Sequence, residues 1–414
     1  MKDINIRSQY TRNEPEFWKL TIGFTLASFF IFANLYNVQP LLPIFSREYN
    51  ISPTVSSLSL SLTTFSLVIS LLVFGFLSDR KGRTKLMRIT MWLSVVPLIA
   101  VPLVDEFWWL LMWRFISGIT LAGLPAMAVA YINEEVEQRS RGLSVSLFIA
   151  SNALGGMTGR VLGGYFADEF SWQDSFYALA VIGVMVNILC LFLIPRSRNF
   201  KKYSYSLTKD LKGMAVHLKN PLLLFAFIFG MMLQTAFAGV WTYVPYYLES
   251  EPFHLTIGAI SFIYFSYIFG VIGSPLAGRV SDHYGITNVM KFGLVAMMVG
   301  VLTTLIMNVS MIIVGLSIVC FGFFIAHSMA STWVGINATH HRSGATSIYL
   351  FSYYSGAALG GTGIGFIWST FGWIGVATIC VIFPVTSGVI FFRIVKKVEN
   401  SNQEFDALSY EKGN

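Results

Sequence analysis

The feature that most limits how this chain can fold is a recurring apolar run, each long enough to cross a bilayer as a helix. Crossing roughly 30 Å of hydrocarbon takes about 20 helical residues, because in lipid every backbone N–H and C=O must find its partner within the segment. Runs of that kind lie near 17–41, 54–77, 84–104, 107–131, 142–166, 173–195, 221–247, 256–277, 287–307, 310–333, 344–368 and 372–393. Hydrophobic residues fill 55% of the 414 positions and charged residues 12%, too little polar surface for a water-soluble globule. The expected fold class is an all-α polytopic membrane protein with twelve transmembrane helices.

The basic residues orient those spans. Segments preceded by an odd number of spans carry Arg47 alone. The other side holds Arg7 and Arg12, the Arg80 to Arg88 cluster, Arg139 and Arg141, Arg196 to Lys219, Arg279, Lys291, Arg342, Lys396 and Lys397. An excess of Lys and Arg marks the cytoplasmic side, so both termini are expected there. The net charge of +7 then follows from topology. Its expected partner is the lipid bilayer and its anionic headgroups, with no nucleic acid. The first 16 residues are polar, so no cleavable signal peptide is expected. Cys190, Cys320 and Cys380 lie in spans without ligand-like spacing and read as small packing residues, so no metal and no cofactor are expected.

The chain divides near its middle. Residues 1–16 read as a cytoplasmic segment, 17–195 as a six-helix bundle, 196–220 as a basic cytoplasmic linker, 221–393 as a second six-helix bundle and 394–414 as a cytoplasmic tail. The halves echo each other. Gly75-Phe-Leu-Ser-Asp79-Arg-Lys-Gly82 is repeated 203 positions later as Gly278-Arg-Val-Ser-Asp282-His-Tyr-Gly285, and Ala153-Leu-Gly-Gly156 recurs 205 positions later as Ala358-Leu-Gly-Gly361. Two pairs at nearly one offset imply a duplicated bundle, with a substrate cavity between the halves near the bilayer midplane.

The segment after the second span carries the sharpest motif, Gly75, Asp79, Arg80, Gly82 and Arg83. Gly75 permits close helix contact, and Asp79 can accept backbone N–H bonds from the N-terminus of another helix. Arg83 can pair with Glu134 or Glu135 at the cytoplasmic end of the fourth span. Such a cluster would latch the inner face shut. A merely topogenic basic loop explains the cations but neither the aspartate nor the glycines.

Gly155, Gly159 and Gly163 recur every four residues and share one helical face, where two backbones can approach closely, as static packing or as a moving interface. Arg114 and Arg160 stand well inside apolar runs, and no Asp or Glu does. A charge at that depth is costly unless it is paired or faces water. The two arginines either snorkel to the outer headgroups or face a water-filled cavity, where guanidinium groups would hold an anionic ligand or order a polar network.

At these residues the chain resembles the major facilitator superfamily, over essentially its whole length. Residues 75–83, GFLSDRKGR, resemble the family signature between spans 2 and 3, and residues 278–285 resemble its second-half counterpart. Leu111-Met-Trp-Arg114-Phe-Ile-Ser-Gly118 is similar to the family's Arg-x-x-x-Gly motif, whose arginine is associated with coupling. Residues 155–164 are similar to the glycine-rich motif of antiporters, with Arg160 where that motif usually has Pro. The wording Tyr36-Asn-Val-Gln-Pro40, Ala326-His327-Ser328 and Leu350-Phe-Ser-Tyr353-Tyr354 resembles the bacterial acriflavine-sensitivity (YnfM-type) efflux branch. The resemblance implies two pseudo-symmetric six-helix bundles in the bacterial cytoplasmic membrane, alternating access and no enzymatic chemistry. It further implies export of a small organic or toxic compound, driven by a proton gradient.

Polar and aromatic side chains that could line the cavity are Asn34, Asn37 and Gln39 on span 1, Gln234, Trp241 and Tyr243 on span 7, Tyr264 and Tyr267 on span 8, and Tyr349 and Tyr353 on span 11. Singly, each aromatic is more often helix packing; together they suit a large amphiphile. His327 is the one embedded group that titrates near neutral pH, and it is either a proton carrier or a satisfied hydrogen-bonding residue. Arginines without span acids also fit a carrier for an anionic metabolite, as symporter or facilitator. A membrane sensor is a remote alternative, and a monomer is expected.

Overall fold

The computed structural model describes residues 9–200, 213, 215–338 and 342–411. Among the described residues, twelve long helices follow the expected runs. They are α1 Pro15–Glu48, α2 Pro53–Lys81, α3 Arg83–Leu103, α4 Phe107–Glu135, α5 Gln138–Glu169, α6 Trp172–Leu193, α7 Pro221–Glu249, α8 Ile257–Tyr284, α9 Ile286–Thr303 and α10 Val309–Asn337, then α11 at 342–371 and α12 at 373–411. Gly372 separates the last two with φ 58° and ψ −150°, a backbone conformation open to glycine and strained for other residues. Among the described residues there is no strand, only an isolated bridge between Tyr10 and Val136. Residues 201–212 of the expected linker lie outside the described residues.

Helices α5 (Gln138–Glu169) and Arg342–Gly363 of α11 are absent from the helices apolar enough to span on hydropathy alone. Gly, Ser and Thr dilute them, and the packing explains why that is tolerated: both lie against other helices of the bundle. In the first half α5 and α6 pack on α1, and α2 packs on α4. In the second half α11 and α12 pack on α7, and α8 packs on α10. The halves meet through α5 with α8 and α2 with α11, the same pairing taken in opposite order. Those relations are a two-fold repeat, as the echoed motifs imply.

Glycine makes the tightest of these contacts possible. A Cβ added to Gly155, Gly159 or Gly163 would sit 2.2, 2.2 or 2.5 Å from the carbonyl oxygens of Phe29, Ala33 and Asn37, so α5 lies directly on the α1 backbone. The second half repeats this seam, with Gly356 and Gly360 of α11 against the carbonyls of Met231 and Thr235 on α7.

One end of the molecule is sealed between the halves. Gln39 donates to Thr242, Ser46 bonds Tyr246, Arg47 pairs with Glu249, Ser57 donates to Thr362, and Thr256 donates to Asp168. All five contacts lie on the face opposite the basic loops. Toward that far face, residues 30–43 of α1 are buried except for Tyr36, and residues 233–248 of α7 are buried throughout. Toward the basic face both helices uncover one side, at Trp18, Ile22, Thr25 and Phe29 on α1 and at Phe225, Ile228 and Met232 on α7.

Candidate functional site

Arg114 and Arg160, grouped by the sequence, have different surroundings. The first helical segment of α1 ends at Tyr36, because Pro40 has no N–H to return to the Tyr36 carbonyl, and a 3-10 turn at Gln39–Leu41 follows. The freed carbonyls are taken up by Arg114: Nη2 donates to Leu35 at 2.9 Å and Nη1 to Asn34 at 3.4 Å, while Nε donates to the Ser59 carbonyl of α2 at 3.1 Å. Every nitrogen of this guanidinium is committed to backbone, and the residue is 1% exposed. Arg114 therefore clamps α4 to α1 and α2 rather than facing a cavity. Gly118, one turn on, lets the same helix approach α2, where an added Cβ would meet the Thr63 carbonyl at 2.1 Å.

Arg160 sits at the closed end of the seam between the halves. Its Nε donates to Gln39 Oε1 at 2.6 Å and its Nη1 to the Gly156 carbonyl at 2.8 Å. Its Cζ lies 3.9 Å from the ring centroid of Tyr36 on α1, and 4.6 and 5.5 Å from those of Tyr267 and Tyr264 on α8. Among the described residues no carboxylate pairs with it. A guanidinium between aromatic faces gains a cation–π attraction that grows when water is excluded. Tyr36 was missed as a site residue by sequence reasoning. The available signal was Gly156, one turn before Arg160: a Cβ there would meet both Tyr36 and the guanidinium at 3.1 Å.

The other candidates sort by what they touch. Asn34 donates to the Ser94 carbonyl at 3.3 Å and Asn37 to Ser175 at 3.3 Å, so both tie α1 to its own half. Gln39 touches Arg160 and, across the halves, Thr242. Trp241 packs against Tyr264 at 5.0 Å and Tyr267 at 4.8 Å, joining the ring layer around Arg160. Tyr243 donates to the Gly361 carbonyl at 2.5 Å and stacks on Trp368, which places it in the far-face seal. Gln234 is buried, and its Oε1, like the Tyr267 hydroxyl, has no hydrogen-bond partner among the described residues.

His327 of α10 extends that layer. Its Nδ1 lies 3.0 Å from the Tyr349 hydroxyl, Tyr353 covers it at 4.2 Å between centroids, and Phe323 stacks parallel at 5.8 Å. Phe323 in turn stacks on Phe237 at 3.7 Å, and Phe237 meets Tyr267 at 5.6 Å, so rings run unbroken from His327 to the tyrosine that faces Arg160. Phe237 and Phe323 were also missed, since isolated phenylalanines in apolar spans carry no signal of their own.

At the basic face, Arg83 makes the pairing expected with one of the two glutamates. Nε and Nη2 donate to Glu134 at 2.9 and 2.7 Å, Nη1 donates to Ser78 Oγ at 3.1 Å, and Nη2 reaches Asp79 at 2.9 Å. Asp79 thus bridges to Arg83 one turn away rather than capping a distant helix. Glu135 does something else. It is 1% exposed and accepts from Ser197 Oγ, Arg198 N and Asn199 N at 2.7, 2.6 and 2.9 Å, pinning the start of the linker. Tyr10 bonds both backbone flanks of that corner. Gly82 and Gly285 take φ of 91° and 79°, the same helix-to-helix corner in both copies of the motif. A Cβ at Gly75 or Gly278 meets nothing within 4 Å among the described residues, and Asp282 is exposed. Arg80 is exposed and makes a contact of its own.

Comparison with known proteins agrees with this architecture. The sequence matches the Major Facilitator Superfamily over residues 24–361 and 250–409. It is 37% identical over 365 residues to the uncharacterized MFS-type transporter YybF of Bacillus subtilis (strain 168), covering 88% of this chain and 90% of that protein. It is 32% identical over 387 residues to the inner membrane transport protein YnfM of Escherichia coli (strain K12), covering 94% and 93%. Among solved structures, a point mutant of the nucleoside transporter NupG superposes with a TM-score of 0.76 at 16% identity, covering 90% of this chain and 99% of that one, a likeness of fold.

Proposed function

Because this chain belongs to the major facilitator superfamily, a family of membrane transporters and not of enzymes, we propose that it carries a small organic anion by alternating access. In this reading it works as a monomer in the bacterial cytoplasmic membrane, with both termini inside and bundles at 17–195 and 221–393. The observation that carries it is Arg160, held between tyrosines at the junction of the halves with no carboxylate partner among the described residues. In low dielectric a fixed guanidinium attracts anions and repels cations, and the ring faces beside it suit a flat organic group. The far-face seal and the uncovered sides of α1 and α7 support access from the basic, cytoplasmic side. The Arg83–Glu134–Asp79 cluster is the proposed element that changes partners when the inner side closes.

Proton-coupled export of a toxic compound is the second reading. The continuous α5-on-α1 glycine seam favours it, since it is built from the residues that resemble the antiporter motif. Purified protein in liposomes, with outward and inward fluxes of anionic, neutral and cationic aromatic compounds measured under an imposed pH gradient, separates the two. Preference for anions, abolished by Arg160→Gln in folded protein, supports the carrier. Cation efflux into an acidic compartment that survives Arg160→Gln overturns it in favour of export.

A further inference from the structure

The ionisable groups around the ring layer are unusual in sign. From α5 comes the permanent cation Arg160; from α10, His327 and the thiol of Cys320; from α1, Tyr36; from α8, Tyr264 and Tyr267; from α11, Tyr349, Tyr353 and Tyr354; α7 supplies Trp241 and Phe237, which do not titrate in this range. Between their ends, the spans carry no Asp or Glu. Near neutral pH the tyrosines and the thiol are uncharged by their ordinary values, so Arg160 supplies one fixed positive charge and a proton on His327 adds a second.

Resting on the carrier reading, we propose that His327 is the proton-binding group of the cycle and that it couples proton and substrate with the same sign. A proton on His327 adds to the positive potential at Arg160, and an organic anion bound at Arg160 offsets both. The two therefore bind together. Reciprocity requires that if the proton tightens the anion, the anion tightens the proton by the same factor. A carboxylate-based site works the other way, with a proton and a cationic compound competing for one negative charge. The geometry here provides the groups for cotransport of a proton with an anion and lacks, among the described residues, the group for competition. Tyr349, bonded to Nδ1, and Phe323 and Tyr353, covering the ring, hold His327 in place so that its protonation acts through charge rather than through movement.

Three ligands of similar shape and fixed charge between pH 5.5 and 8 test this: benzenesulfonate, benzenesulfonamide and benzyltrimethylammonium. Binding to the purified full-length protein is followed by thermal stabilisation and by proton uptake in weak buffer. Benzenesulfonate is expected to bind about tenfold more tightly at pH 5.5 than at pH 8, with up to about one proton taken up per site. His327→Gln is expected to bind the sulfonate no more tightly than the unmodified protein does at pH 8 and to lose the pH response, and Arg160→Lys to keep the pH response with weaker binding. A pH-independent benzenesulfonate affinity in the unmodified protein, or a pH response unaltered in His327→Gln, overturns the linkage. Binding of benzyltrimethylammonium in preference to the sulfonate overturns it too, while leaving a transporter of another substrate class. No response to any of the three overturns the ring layer as a ligand site.

Discussion

The first and second halves share a backbone and fill it with different chemistry. In both, a glycine seam lies on bare carbonyls, α5 on α1 and α11 on α7, and the same corner glycine ends the signature loop. Within that common frame the first half is fastened by polar groups: Arg114 on three carbonyls, Asn34 on Ser94, Asn37 on Ser175 and Thr21 on Ser144. The second is fastened by rings, Phe237 on Phe323, Trp241 on Tyr264, and His327 between Phe323 and Tyr353. Scaffold contacts depend on backbone and survive duplication; site contacts depend on side chains and are free to diverge. The asymmetry places a fixed cation in one half and a titratable ring in the other.

The strongest way to break this comparison is to attack the seams. Gly159→Val and Gly360→Val each force a side chain into a carbonyl 2.2 Å from the Cβ position. Overpacking of that kind costs about 3 kcal/mol or more where backbones cannot part. Both variants are expected to lose the monodisperse folded species in size-exclusion chromatography to a similar degree; collapse of one alone would show that the seams are not equivalent.

Next in size is the contrast between the arginines. Arg114→Gln leaves the Asn34 and Leu35 carbonyls without their donor and is expected to cost about 2 to 4 kcal/mol, seen as a fall in thermal midpoint. Arg160→Gln is expected to cost about 1 kcal/mol or less in stability while removing the response to an organic anion. Equal thermal effects would erase the distinction between clamp and site.

Glu135→Gln retains shape but removes a charge that accepts four hydrogen bonds from residues 197–199. A loss of about 1 to 2 kcal/mol in local stability is expected, read as faster proteolysis within 196–220 at an unchanged global midpoint. Smallest is the pair of signature aspartates. Asp79→Asn breaks a bridge whose aspartate side is 41% exposed, so less than about 1 kcal/mol is expected. Asp282→Asn, at an exposed position, is expected to leave the midpoint where it is; a larger effect there than at Asp79 would reverse the assignment of the working copy.

The spans, the duplication and the Arg83–Glu134 pairing were legible in the sequence because each rests on residue type and spacing. The role of Arg114 was not. Its partners are carbonyls released by a break in another helix, and a carbonyl has no letter in the sequence. Depth alone made Arg114 and Arg160 look alike. Asn34 and Asn37, three residues apart, read as one stripe, but the turn beginning at Asn37 sends their amides to α3 and α6. The ring layer was legible as a set of members and not as a set of pairs, since apolar packing leaves no directional mark on composition.

The far-face seal has a consequence outside the protein. Its outermost contact is the ion pair of Arg47 with Glu249, whose arginine side chain is 58% exposed and whose glutamate is 25% exposed. Charges so placed are screened by dissolved salt over a Debye length of about 8 Å at physiological ionic strength and about 3 Å at 1 M. The contacts beneath it, Ser46 with Tyr246 and Gln39 with Thr242, join neutral groups and feel no such screening. In the proposed orientation, which puts this face outside, a rise in external salinity weakens the rim of the seal and leaves its floor intact. In the proposed alternating-access cycle, external ionic strength thereby enters the balance between the inward- and outward-facing states.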